Sequence, residues 1–153
     1  MLKEYIKIKN LKLKIGTSEF LNTKDLSGKK TIFYFYPKDD TPGCTKEAIN
    51  FSAKINEFSD LNTQIFGISR DSSEKHEKFI RKHDLKVNLI SDDGEITEYF
   101  GVWVEKSMYG KSYMGIERST FLIDEQLKVV KIWRKVKVPG HVEEVLDFIK
   151  KFS

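Results

Sequence analysis

The chain has a single cysteine, Cys44, and only three prolines in 153 residues. One thiol excludes an intrachain disulfide framework and the dithiol chemistry of a Cys-x-x-Cys oxidoreductase, and it leaves no sulfur set for a structural zinc. No apolar run approaches the eighteen or so residues of a membrane span; Ile32-Phe-Tyr-Phe-Tyr36 is strand-sized. The first ten residues interleave charged and apolar side chains and lack the pattern of a secretory signal, so a reducing cytoplasm is the expected compartment. A glycine-rich phosphate loop is missing too, because Gly43 stands alone and no lysine holds a Walker position. Neither sign of charge dominates. The 27 Lys and Arg are interspersed with 23 Asp and Glu for a net +4, which predicts a solvated surface rather than a nucleic-acid face. His76 and His83 sit among charges and read as surface side chains rather than metal ligands, while Trp103, Tyr109 and Trp133 read as packing residues.

What the chain does contain is an alternation of strand and helix patterns within one domain, residues 1–153. Tyr5 to Ile8 and Leu11 to Ile15 alternate apolar with charged residues around Lys9-Asn10 and predict an N-terminal β-hairpin. Thr31 to Tyr36 is a continuous β-branched and aromatic run, the pattern of a strand buried on both faces. Ala48, Phe51, Ile55 and Phe58 then recur at helical spacing, predicting a helix from about 42 to 59. Gln64 to Ser69 is a second buried strand, followed by a helix capped by Asp71 or Ser72, a short strand over 85–90 and a short helix over 95–101. Residues 102–114 show the least regular pattern. From Gly115, Ile116, Arg118, Thr120 and Leu122 share one side of a strand that returns through 128–134, and Val142 to Ile149 mark a last amphipathic helix. Together these predict an α/β fold with a central mixed sheet flanked by helices.

Cys44 lies where the first central strand gives way to a helix. Thr41 suits the N-cap and Pro42 the first helical position, so Cys44 falls in the first turn, beside free backbone N–H groups and the positive end of the helix dipole. A thiol held there ionises more readily, and the thiolate is the nucleophile. Its position just past the carboxyl end of a strand is also where open α/β sheets bind ligands.

Pro37-x-x-x-Thr41-x-x-Cys44 resembles the active-site signature of peroxiredoxins, and Asp40-Thr-Pro-Gly-Cys-Thr-Lys-Glu-Ala48 resembles the Q-type, or bacterioferritin comigratory protein, subfamily. Phe66-Gly-Ile-Ser-Arg-Asp-Ser72, Tyr109-Gly-Lys111, Gly115-Ile-Glu-Arg-Ser-Thr-Phe-Leu-Ile-Asp124, Trp133-Arg134 and Val138-Pro-Gly-His141 match the same subfamily in the same order. The resemblance implies a thioredoxin-like fold and reduction of hydrogen peroxide or organic hydroperoxides at Cys44, with no metal or organic cofactor. It also implies a catalytic set of Cys44, Thr41, Pro37 and Arg118. Arg118 is selected over Arg70, Arg81 and Arg134 by its Arg-Ser-Thr context, with a surface pair to Glu117 or Glu47 as the competing reading.

One position departs from the pattern. Many Q-type members carry a resolving cysteine five residues after the first, and Ile49 stands there in this chain. The resemblance therefore implies a one-cysteine cycle, reset by an external thiol such as thioredoxin or a glutaredoxin with a small thiol. A monomer or weak homodimer is the expected assembly. The rival expectation is a redox sensor or interaction module that works through mixed disulfides.

Overall fold

The computed structural model describes residues 2–152. In chain order the elements are β1 (Lys12–Ile15), β2 (Glu19–Asn22), a 3-10 turn (Thr23–Leu26), β3 (Lys30–Phe35), α1 (Pro42–Ala53) and α2 (Ile55–Asp60). Then come β4 (Thr63–Ser69), α3 (Ser73–His83), β5 (Asn88–Ser91), α4 (Glu95–Tyr99), β6 (Trp103–Met108), β7 (Lys111–Ile116), β8 (Ser119–Ile123), β9 (Val129–Trp133) and α5 (His141–Phe152). A seven-stranded sheet runs in the order β2-β1-β5-β4-β3-β8-β9, and β6-β7 form a separate two-stranded ribbon. Strands β3, β4 and β5 are parallel neighbours, while β8 lies antiparallel against β3. The sheet is therefore mixed, with helices against it, as in thioredoxin-like folds.

Strand β3 explains why two cores exist. It is buried throughout, and its alternation sends Phe33 and Phe35 to one face and Ile32, Tyr34 and Tyr36 to the other. On the first face Phe33 and Phe35 meet Phe100, with β1, α4 and the N-terminal segment closing that side. On the second, Tyr34 stacks on Phe51 of α1 at 4.6 Å between ring centres, and Phe58, Phe79, Val142 and Val145 bring in α2, α3 and α5. Cys44 belongs to this second cluster. Among the described residues no helix is long and apolar enough to cross a membrane.

Four local expectations are corrected. The N-terminal hairpin pairs β1 with β2, not residues 5–8 with 11–15. The backbone around Lys9-Asn10 is engaged elsewhere: Thr23 Oγ1 donates to the Lys9 carbonyl and accepts from Leu11 N, and Lys7 bridges to Lys128. The predicted single helix over 42–59 breaks at Lys54 into α1 and α2. The segment expected to be least regular is the β6-β7 hairpin, closed by Tyr109 (φ 52) and Gly110 (φ 78). Two consecutive left-handed residues are the requirement of a type I′ turn. Tyr109, expected in a core, is 97% exposed at that tip.

Candidate active site

Strand β3 ends at Phe35, and residues 36–41 carry the chain over the sheet edge into α1. Thr41 has the extended dihedrals of an N-cap, and its carbonyl accepts from Thr45 N at 2.8 Å. Its side chain does not make the expected capping bond; Thr41 Oγ1 donates instead to the Lys38 carbonyl at 2.8 Å. Pro42 takes the first helical position, where a missing N–H costs nothing. Cys44 follows in the first turn, only 2% exposed. Pro37 lies exposed at the start of the loop.

Arg118 reaches this turn from the short connection between β7 and β8. Its Nη2 donates to Cys44 Sγ at 3.3 Å and its Nη1 to Glu47 Oε1 at 2.7 Å. Beyond Arg118 the alternation continues as expected, with Leu122 on the Cys44 face, whereas Ile116 packs on the opposite face because the chain turns at 117–118 between the two strands. A Cβ at Gly43 would stand 3.2 Å from Arg118 Nη2, so the glycine leaves room for the guanidinium beside the sulfur.

Glu47 is the residue the sequence left undervalued. The sequence suggests at most a surface pair with Arg118, but the Glu47 carboxylate is fully buried on α1 and pairs with the guanidinium there. Burial pushes the Glu47 carboxyl up to about 7 against the pull of Arg118, and its second oxygen, Oε2, finds no hydrogen-bond partner among the described residues. Arg118 in turn is held above its ordinary value by Glu47 and Cys44, which outweigh its own burial. Lys106 of β6 is a second cation near the sulfur. Burial, then the charge of Arg118, lower its pKa, while Cys44 acts in the opposite sense.

His141 at the start of α5 shares a 2.7 Å hydrogen bond with Thr120 Oγ1 of β8 and is lowered to about 4 by burial, with Arg118 adding to the effect. It is a neutral imidazole at ordinary pH. His76, expected at the surface, is instead 3% exposed and paired with Asp39 at 2.6 Å. That contact joins residues 37 positions apart, which helical spacing alone does not reveal. His83 contacts the exposed Asp40 at 2.9 Å. Among the described residues no group of three or more His, Cys, Asp and Glu is placed to hold a metal ion. Ile49, where a resolving cysteine would stand, is 42% exposed on α1.

A thiol at a helix N-terminus, touched by a guanidinium that a buried carboxylate orients, on a thioredoxin-like sheet, defines a thiol-dependent peroxidase of the peroxiredoxin class. The model of the AhpC/TSA family matches residues 6–132, and the chain belongs to that family. Within it the chain stands with the Bcp, or peroxiredoxin Q, proteins. It is 48% identical to peroxiredoxin Bcp of Bacillus subtilis over 148 residues, covering 96% of this chain and 94% of that one. The crystal structure of a peroxiredoxin Q cysteine mutant from Xylella fastidiosa superposes with a TM-score of 0.95 at 37% identity, covering 99% and 98% of the two chains. The bacterioferritin comigratory protein of Xanthomonas campestris, whose structures were determined to explain alkyl peroxide reduction, gives 0.88 at 42% identity and covers 93% and 91%.

Proposed function

We propose that Cys44, as the thiolate, attacks the terminal oxygen of hydrogen peroxide or an organic hydroperoxide. A sulfur–oxygen bond forms, the O–O bond breaks, and the leaving alkoxide or hydroxide takes up a proton and departs as alcohol or water. Sulfur is oxidised to the sulfenic acid and the peroxide is reduced by two electrons. Arg118 stabilises the thiolate and then the charge developing across the O–O bond. Thr41 has committed its proton to Lys38, so its free lone pair accepts from the peroxide O–H and helps set the in-line approach. Pro37, with no N–H to offer, limits water at the rim. The cycle calls for no metal or organic cofactor.

The sulfenic acid is then reduced from outside. One external thiol condenses with it to a mixed disulfide, releasing water, and a second thiol displaces Cys44 as the reduced thiol. Thioredoxin, or a glutaredoxin with a small thiol, is the class of reductant, and the reducing cytoplasm is the matching compartment. The protein works as a monomer or weak homodimer. The observation that carries this reading is the Arg118 bridge between Cys44 Sγ at 3.3 Å and Glu47 at 2.7 Å.

Peroxide consumption with a supplied dithiol tests it. Cys44→Ser is expected to abolish turnover, and Arg118→Ala to slow the peroxide step by about 10²–10³-fold, the cost of removing a preorganised donor. Equal rates for the wild type and both variants would refute the assignment.

A further inference from the structure

The loop that delivers Thr41 and Cys44 is tied to the β4–α3 side of the molecule by contacts that the peroxide chemistry does not use. Asp39 is 8% exposed. Its Oδ2 meets His76 Nδ1 at 2.6 Å, its Oδ1 accepts from Tyr36 OH at 2.6 Å, and its backbone N donates to Asp71 Oδ2 at 2.9 Å. His76 Nε2 lies 3.1 Å from the Ile90 carbonyl, which can only accept, so that nitrogen carries a proton. The Nδ1···Oδ2 contact then holds the remaining proton between imidazole and carboxyl, either as an ion pair or as a neutral pair. In both forms it is a hydrogen bond shielded from water.

The next residue repeats the arrangement at the surface. Asp40, in the left-handed region at φ 59, meets Lys82 at 2.7 Å and His83 at 2.9 Å. His76 and His83 are two helical turns apart on α3, so one helix face grips two consecutive loop residues. Between Asp39 and the buried sulfur stand only residues 40–43.

The closed loop poses a problem for the second half of the cycle. A hydroperoxide is small, but a protein or peptide thiol must bring its own bulky carrier up to the sulfur of a side chain that is 2% exposed. Ile49 offers no sulfur from within. We propose that the Asp39–His76 pair is a latch holding the Cys44 loop closed on α3, and that its release is the step that admits the external thiol. Asp39 and His76 are thus positioning residues for the reductive half-reaction. The latch rests on the peroxidase reading only for its use, not for its existence.

The test starts with reduced protein and no peroxide, so it reads the latch whether or not turnover occurs. Alkylation of Cys44 by iodoacetamide and amide exchange over 42–47 are compared in the wild type, His76→Leu, His76→Gln and Leu13→Ala. Leu13 is fully buried in the core on the opposite face of the sheet and supplies a general loss of stability without touching the loop. His76→Leu is expected to raise both rates about tenfold, the shift produced by losing one buried hydrogen bond. His76→Gln, which keeps a donor for Asp39 and is the gentler change should His76→Leu fold poorly, is expected to fall in between, and Leu13→Ala to match the wild type. In stopped-flow the same His76 variants should reduce their sulfenic acid faster with external thiol while the peroxide step does not accelerate. The proposal is overturned if the His76 variants alkylate at the wild-type rate, if Leu13→Ala opens the loop as much, or if the loop opens and the thiol step does not gain.

Discussion

Glu47→Gln separates the electrostatics of the site from its packing. The Glu47 carboxyl titrates at about 7 in the folded protein because burial penalises its charge, against 4.5 for the unsuppressed group. A raised carboxyl pKa means the folded state binds the proton more tightly than the unfolded state, so this group's contribution is most favourable at low pH and is lost as pH rises from about 4.5 through about 7. Between pH 5 and pH 8 the loss is about 2.5 kcal/mol from linkage. His141 runs the other way. Lowered to about 4 by burial, it disfavours folding when it must charge, so its contribution grows as pH rises from 4 to about 6.5, by about 1–2 kcal/mol after allowance for its partial solvent access. The wild type should therefore change little in stability across this window. Glu47→Gln removes only the first trend and should become more stable on going from pH 5 to pH 8. Urea unfolding at the two pH values is the assay. With a slope of about 2 kcal/mol/M for a domain of this size, the midpoint of Glu47→Gln relative to wild type should rise by about 1 M between pH 5 and pH 8. Parallel pH dependence of the two proteins would refute the claim that Glu47 is held near 7.

Three further outcomes follow from the same contacts. His141→Gln should lose the acid-side trend, so that its stability falls steadily from pH 5 to pH 8 in the same urea assay. Arg118→Ala removes the cation that pulls the buried Glu47 carboxyl down, so Glu47 should be protonated at neutral pH and the variant should lose more stability than the wild type as pH rises above 7, a loss absent from Arg118→Ala/Glu47→Gln; a double-mutant cycle in thermal unfolding at two pH values measures the coupling. Thr41→Val removes the hydroxyl that donates to the Lys38 carbonyl and that we propose accepts from the peroxide, and should slow the peroxide step by about tenfold or more while leaving reduction of the sulfenic acid by external thiol unchanged.

The legibility of the site in the sequence followed the range of its interactions. The cysteine turn was readable because its signals are local: a buried aromatic strand, Pro37, a cap residue, Pro42 and Cys44 lie within a few residues of one another. Arg118 is 74 positions from Cys44, and nothing in its neighbourhood separates it from Arg134; only the resemblance in the Arg-Ser-Thr segment selected it. Glu47 reads in the sequence as no more than a surface partner of Arg118, because a carboxylate is rarely buried without a partner and this partner arrives from the distant β7–β8 connection. His76 reads as a surface residue for the same reason, since the Asp39 that buries with it lies 37 positions away. The β6-β7 hairpin was hidden by charges at Glu105, Lys106 and Lys111, although Tyr109-Gly110 carried its turn signal. The N-terminal hairpin failed in register because Lys9-Asn10 resembles a turn by composition, while Thr23 claims its backbone groups.

Ile49 fixes where the timing of the cycle is kept. A chain that carried its own second sulfur would end each oxidation at a rate set by its own folding. Here the oxidised protein waits, and the waiting time shortens in proportion to the thiol available outside. In the proposed cycle a second peroxide would compete for the same sulfur during that wait and carry it to the sulfinic acid. The ratio of these two fates compares the surrounding peroxide with the surrounding reductant, so the fraction of Cys44 lost to overoxidation records how well the thiol supply kept pace.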